Sequence, residues 1–391
     1  MSRAIPSLEI VVLSADPALT LARHGLRAVS RTNPVDLMRE LRTADLLVSG
    51  GGSILQDVTS SRSLWYYLGV IRLAQSLGTP VMLYANGLGP INRPVNRWLA
   101  RRVLDRVALI TVRGASSKKF LEELGVRRPR VVVTADSAFS LAPAPPERVA
   151  AIWAAEGLPA KGPRDTAAPS GLQREQAQGR VRTPETAFIG VSVRPWPGSE
   201  GLEQAVARAV DYVTQKLGYF PVFLPVHRDL DLPVVERIRA AMTAHSHVIQ
   251  GSYSAEETVG LFGRFRWVLS LRLHPLIFAA VAGVPGLGLV YDPKVEEFLV
   301  QTGQEVVGRV GGTAAEDILL AVTRLEADYD RRVADLRRAV ADLRARAALN
   351  NTLAAELLGY AGAPSETPPG TPPGNPPATP PRTPPGTRPA S

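Results

Sequence analysis

The 391 residues contain no cysteine, so neither a disulfide framework nor a thiolate metal site is available. Histidine is scarce too: the five residues are scattered and show no metal-ligand spacing, so no metal is expected. No apolar run reaches the roughly 18 residues that a membrane-spanning helix needs. The N-terminus lacks the charged, apolar and cleavage regions of a secretory signal, and the expected location is the cytoplasm. Lysine is equally sparse. Of 45 cationic residues, all but Lys118, Lys119, Lys161, Lys216 and Lys294 are arginine. The formal net charge of +9 invites a nucleic-acid reading. Against it, no compact basic stripe with interleaved aromatics occurs, and part of the excess lies in segments 161–184 and 380–391. Nucleic acid is therefore not an expected partner, whereas an anionic lipid surface or a phosphorylated substrate suits the charge.

What is present is an alternation of short apolar strands and helical periods, which predicts a parallel sheet with helices on both faces. In the first half, strands are expected at Ile10–Leu13, Leu46–Ser49, Pro80–Tyr84, Leu109–Val112 and Arg130–Thr134. Helices are expected over Asp36–Arg42, Leu64–Leu77, Asn96–Arg106 and Ser116–Leu124, the last stopped by Gly125. Residues 157–186, rich in Gly, Pro, Ala, Gln and Arg, have no apolar period. A second α/β run follows, with strands at Phe188–Val193, Pro221–Pro225, Val248–Ile249, Trp267–Leu273 and Leu287–Tyr291. Residues 314–360 carry an Ala/Leu stripe between charges, as one or two long amphipathic helices would. From Ala361 the repeated Thr-Pro-Pro units cannot build a core. The expected domains are an N-terminal α/β domain over 1–150, a flexible linker or insertion over 151–186, a C-terminal α/β domain over 187–312, helices over 313–360 and a disordered tail over 361–391.

Polar residues collect at the strand ends, where open α/β sheets bind ligands. His274 follows the Trp267 strand and Lys294 the Leu287 strand, each at the start of a helix. Two cations beside two helix N-termini suit a small, highly charged anion. Arg272 lies two residues before His274. Arg194 ends the Phe188 strand, Arg113 ends the Leu109 strand, and Asp136 follows the Arg130 strand. Gly50-Gly51-Gly52-Ser53-Ile54-Leu55-Gln56-Asp57 follows a buried strand; its glycines let a ligand approach the backbone, and Gln56 and Asp57 add an amide and a carboxylate. No Gly-Lys-Ser/Thr follows, so it is not a P-loop. Asn86-Gly87-Leu88-Gly89-Pro90 is a second Gly-rich strand end. Singly, each of these is also what an ordinary helix-flanking or turn residue looks like. Together they point to a cleft between two facing domains. His227 reads as a polar loop residue, and His24, His245 and His247 as surface residues.

These motifs, in this order, with Leu271-Arg272-Leu273-His274 and Tyr291-Asp292-Pro293-Lys294, resemble the polysaccharide pyruvyl transferases over about residues 8–350. The nearest resemblance is to the bacterial branch acting on the secondary cell-wall polymer that anchors S-layer proteins. The resemblance implies two Rossmann-like domains facing across a cleft, as in GT-B glycosyltransferases, with the acceptor on the N-terminal side and the donor on the C-terminal side. It implies phosphoenolpyruvate as donor and a 4,6-linked pyruvate ketal on N-acetylmannosamine as product, with no cofactor. Arg113, His274 and Lys294 match the family residues thought to bind the donor. Arg272, Arg194, Gly51, Gly52, Ser53 and Asn86 are the further expected substrate contacts. His274 is the expected acid or phosphate ligand, and either Asp57 or Asp136 the base. A lipid-linked or polymeric saccharide acceptor would bring the protein to the inner face of the membrane. Two departures stand out. The family's opening strand, Gly-Tyr-Tyr-Gly…Asn…Gly-Asp-Glu loop and helix have no counterpart, so the N-terminal domain is expected to start at about its second strand. Asn86 stands where glutamine is usual. A nucleotide-sugar glycosyltransferase and an inactive sugar- or phosphate-binding homologue remain open alternatives.

Overall fold

The computed structural model describes residues 8–58, 60–159 and 187–360. The tail and residues 160–186 of the expected linker lie outside them; residues 151–155, expected to open that linker, instead complete a helix that buries Ile152 and Trp153. The first half runs β1 (Val11–Ser14), α1 (Pro17–His24), β2 (Arg27–Ser30), α2 (Pro34–Thr43), β3 (Leu47–Gly50), α3 (Ser61–Ser76), β4 (Val81–Asn86), α4 (Pro94–Leu104), β5 (Leu109–Val112), α5 (Ala115–Leu124) and β6 (Arg130–Val133). A 3-10 turn (Ser137–Ser140) and α6 (Pro146–Ala155) follow. The second half runs β7 (Phe188–Ser192), α7 (Glu200–Leu217), β8 (Phe220–Phe223), α8 (Arg228–Ala241), β9 (His247–Val248), α9 (Ala255–Phe262), β10 (Val268–Ser270), α10 (Leu273–Val281), β11 (Gly286–Val290), α11 (Pro293–Gln301), β12 (Glu305–Arg309), α12 (Ala315–Ala327) and α13 (Tyr329–Leu357).

All strand pairings are parallel. The chain is an α/β protein of two Rossmann-like halves facing across a cleft. The second sheet has the order β12-β11-β10-β7-β8-β9. Its chain runs outward from β7 in one direction and then returns to β10 on the other side, so a topological switch point lies between β7 and β10. Arg194 and the Arg272–His274 turn therefore leave neighbouring strands at that crevice. β10 and β11 are neighbours in register Leu269↔Leu287, which sets the His274 and Lys294 turns side by side. In the first half β3-β4-β5-β6 form one sheet and β1-β2 another, with no strand pairing between them among the described residues. β3 is thus an edge, half-buried rather than buried as expected.

Three elements escape the apolar pattern for local reasons. α1 buries none of its residues, so no stripe marks it, although Asp16 caps it and Gly25 ends it. β2 (Arg27-Ala28-Val29-Ser30) offers only Ala28 and Val29 as an apolar run, and β12 is an edge strand that buries none of its five. α6 packs Val149, Ile152 and Trp153 into the core beneath the second sheet. α13 makes the reverse crossing: Leu353 and Ala354 close against Met82 and Leu109 of the first sheet. At the same contact buried Asn350 accepts from the Thr134 hydroxyl at 2.9 Å and donates to the Ala135 carbonyl at 3.3 Å. The two crossings tie the halves together and hold their strand ends opposite each other.

Candidate active site

Between the two halves lies a cavity of about 620 Å³, lined from the first half by Ser53, Arg113 and Asp136 and from the second by Arg194, Tyr291 and Lys294. Arg113 leaves the end of β5 and is nearly buried. Its Nη1 donates to Asp136 Oδ2 at 2.7 Å and its Nη2 to Ser53 Oγ at 2.8 Å. The guanidinium lies against the backbone of Gly87, where a Cβ would come within 2.7 Å of Nε and Nη2. Asp136 also caps the 3-10 turn by accepting from Ala138 N–H at 3.0 Å. Gly51 and Gly52 both have positive φ, +58° and +71°, which an L side chain adopts only under strain. Their loop is laced to the second Gly-rich loop, since Gly51 N–H donates to the Tyr84 carbonyl and Gly87 N–H to the Gly52 carbonyl, each at 2.9 Å. Asn86 supports that lacing by donating to the Ser49 carbonyl at 2.8 Å, while its buried Oδ1 has no partner among the described residues. Gly51, Gly52 and Asn86 thus shape the wall without lining the cavity.

Asp57 is placed differently from Asp136. Its carboxylate accepts from Asn92 N–H (2.8 Å), Arg93 N–H (3.0 Å) and Asn96 Nδ2 (2.9 Å), bracing the loop before α4. Burial pushes its pKa up, but these three donors prevail and hold it below the usual carboxylate value. It does not line the cavity, whereas Asp136 does.

On the other wall, Asp292 caps α11 by accepting from Lys294 N–H at 3.0 Å, and its Oδ2 lies 2.9 Å from Lys294 Nζ. Arg194 sits against a pair of touching aromatic rings, with its guanidinium carbon 5.3 Å from the Trp196 centroid and 5.2 Å from that of Tyr291, the two centroids being 4.5 Å apart. Its Nη1 reaches the Tyr291 hydroxyl at 3.5 Å, and its buried Nε has no acceptor among the described residues. Arg113, Lys119 and Lys294 each sit beside a carboxylate; Arg194 has none among the described residues. The sequence patterns did not single out Trp196 or Tyr291 as the rings that hold Arg194. The available signal was an aromatic directly beyond each of two strand ends.

His274 sits in the first turn of α10 and is exposed, but it does not itself line the cavity, whereas its neighbour Leu273 does. Protein atoms surround it closely enough that desolvation is the largest influence on its pKa, which is lowered. Arg113, Lys294 and Arg272 push the same way and Asp136 opposes them. Residues from β5, β6, β10 and β11 thus converge electrostatically on one imidazole. Arg272, by contrast, is drawn to the fully buried Asp231, onto which it donates from Nε at 3.1 Å and from Nη2. It ties α8 to the β10 turn and does not line the cavity. A contact not foreseen crosses the cleft: Glu297 of α11 accepts from Ser116 N–H at 3.2 Å and from the Ser116 hydroxyl, at the N-terminus of α5. Among the described residues no cluster of three or more metal-ligating side chains occurs, and no helix is long and apolar enough to cross a membrane.

A doubly wound sheet facing a second α/β half, with an arginine at the switch point, defines a two-domain fold of the GT-B-like kind. The chain belongs to the polysaccharide pyruvyl transferase family, whose sequence profile matches residues 1–293. No curated protein matches the sequence significantly. Among solved structures it is similar in fold to Anabaena Alr3699/HepE in complex with UDP and glucose, at 12% identity and TM-score 0.57, covering 92% of this chain and 93% of that one. It is also similar to the S. aureus MnaA–UDP co-structure, at 14% identity and TM-score 0.59, covering 89% and 88%. The UDP-GlcNAc 2-epimerase from Methanocaldococcus jannaschii is similar too, at 12% identity and TM-score 0.54, covering 82% and 86%.

Proposed function

We propose that this transferase moves the pyruvyl group of phosphoenolpyruvate onto a cell-wall polysaccharide sugar, N-acetylmannosamine in the S-layer-anchoring polymer, as a 4,6-ketal with release of phosphate. Residues 187–312 form the donor side and residues 1–150 the acceptor side. The observation that carries the reading is Arg194: a guanidinium in the switch-point crevice, resting against two rings, with a buried donor lacking an acceptor among the described residues. A buried unpaired N–H costs about 1–3 kcal/mol, and an anionic ligand offsets that cost with a charge-assisted bond. Lys294 across from Arg113 provides charge for the second of the donor's two anionic groups.

His274 binds the donor's phosphate side. Desolvation keeps the empty-site imidazole neutral near pH 7, and an arriving dianion favours its protonated form, which can then deliver a proton to the methylene carbon. C2 becomes electrophilic, a sugar hydroxyl adds through a new C–O bond, and its proton passes to a carboxylate. Asp136 is the better base, because it faces the cavity while Asp57 is saturated by loop donors. The C2–phosphate bond then breaks and the second hydroxyl closes the ketal. One proton enters the methyl group and two leave the hydroxyls, so one net proton goes to phosphate. The test is phosphate release from phosphoenolpyruvate with a polymeric or lipid-linked cell-wall acceptor. Arg194→Ala, His274→Ala and Lys294→Ala should each lower turnover by at least about 100-fold. Turnover with UDP-sugars and none with phosphoenolpyruvate would instead establish a glycosyltransferase, and donor binding without release an inactive homologue.

A further inference from the structure

The five tryptophans are unevenly placed. Trp153 and Trp267 are buried in the second half, and Trp196 lines the cleft. The other two, Trp65 on α3 and Trp98 on α4, remain 50% and 57% exposed and border one shallow groove between these helices. Helical spacing explains the arrangement. On α3, Trp65, Gly69 and Arg72 follow one another at i, i+4 and i+7; on α4 and its exit turn, Trp98, Arg102 and Arg106 stand at i, i+4 and i+8. Gly69, without a side chain, leaves the floor of the groove open. No acidic residue lines it. Arg72, Arg102 and Arg106 are exposed and make no ion pair with a described residue, and Arg102 stacks on Trp98 with 5.1 Å between guanidinium carbon and ring centroid. Val95, 70% exposed at the start of α4, extends the apolar edge.

Large half-exposed indoles cost hydration and gain little from the protein itself. Indoles also favour the boundary between headgroups and acyl chains, where one end of the ring stays wet. Arginines outside any ion pair with a described residue attract anionic headgroups, to which the guanidinium fork binds two oxygens at once. We infer that the α3–α4 face docks the protein on an anionic lipid bilayer, with Trp65 and Trp98 inserted at headgroup depth and Arg72, Arg102 and Arg106 bound to lipid phosphates. The face adjoins the acceptor side of the cleft. Trp65 Nε1 donates to Asn96 Oδ1 at 2.8 Å, Asn96 donates to Asp57 at 2.9 Å, and the next residue, Val58, lines the cavity. A docked molecule would therefore present its cleft mouth close to the lipid surface, where a membrane-borne saccharide can enter.

The experiment is co-sedimentation of the full chain with vesicles of phosphatidylcholine alone and of phosphatidylcholine mixed equally with phosphatidylglycerol. Binding should require the anionic lipid, weaken with added salt, and shift Trp fluorescence to the blue. Arg102→Ser with Arg106→Ser should weaken it about 25-fold, from about fivefold per arginine. Trp98→Ser should reduce the fluorescence shift, and Trp65→Ser with Trp98→Ser should abolish most of it. These side chains are exposed, so helical content by circular dichroism should not change. Arg331→Ser with Arg338→Ser, exposed on α13 and equal in charge removed, should leave binding within about twofold. The inference is overturned by absence of binding to the anionic vesicles, by equal loss in the two arginine pairs, or by Trp98-dependent self-association without vesicle binding. Neither donor nor acceptor enters the assay, so its failure and the failure of the proposed reaction are distinguishable.

Discussion

Replacing Gly87 by alanine adds one methyl group to the second Gly-rich loop, at a backbone conformation that does not demand glycine. Its consequence is confined to Arg113, whose Nε and Nη2 lie 2.7 Å from the new Cβ. A guanidinium at the end of a flexible side chain would normally step aside at little cost. Here it is only 9% exposed, bound to an equally buried Asp136 at 2.7 Å and to Ser53 at 2.8 Å, so moving it breaks or stretches both bonds. Removing one partner of a buried pair outright costs about 3–5 kcal/mol. Displacing it with both partners present should cost about 1–3 kcal/mol, the usual range for an overpacked methyl. In a domain of this size that is about 2–4 °C in Tm for each kcal/mol. If Arg113 helps bind the donor, kcat/KM for phosphate release should fall roughly 5- to 150-fold, at about 1.4 kcal/mol per decade. The decisive measurement is a double-mutant cycle. In an Arg113→Ala background there is no guanidinium to displace, so Gly87→Ala should then cost less than about 0.5 kcal/mol. An equal cost in both backgrounds, or none in the parent, refutes the argument that this close approach positions Arg113.

Three further outcomes are expected. Because the folded pKa of His274 is depressed, the unfolded chain binds the extra proton first, and stability should decline as pH falls through about 6.5; His274→Asn should flatten that part of the curve, and an unchanged slope between pH 8 and 5 would count against it. Asp57→Asn leaves one oxygen where two served three donors, so about 1–3 kcal/mol should be lost and hydrogen exchange at Asn92 and Arg93 should quicken; unaltered protection there would contradict the bracing role. Asn350→Leu removes a partner from the Thr134 hydroxyl, which keeps the Val112 carbonyl, and from the Ala135 carbonyl at the α13 contact, so the thermal midpoint should drop by an amount matching about 1–3 kcal/mol, with scattering profiles reporting a looser pairing of the halves; a midpoint equal to the parent's would remove Asn350 from the crossing.

Much of the second sheet was legible because its signals are local. The strand-then-cap runs at His274 and Lys294 follow from apolar runs ended by Pro-containing helix starts, and parallel pairing set them side by side. Where the local signal was weak the elements were missed, as in α1, which buries nothing, and β2, whose apolar run is only Ala28-Val29. The candidate site was legible as a set of residues but not as an arrangement. Arg272 and Arg113 look alike at their strand ends. One is turned to Asp231 and the other lines the cavity, and no spacing rule separates them.

The sequence alone determined the alternation of elements, the parallel sheets, the family, and the cations and carboxylates at the strand ends, because periodicity, caps and motifs depend on neighbours along the chain. Only the tertiary structure decided which of those groups face the cleft. Asp57 meets Asn96 across 39 residues, Arg113 meets Ser53 across 60, and Tyr84 meets Asn351 across 267. Such partnerships are set by how two sheets and a crossing helix pack in three dimensions. Packing made Asp57 a brace, left Asp136 in the cavity beside Arg113, and left Arg194 with an unanswered donor.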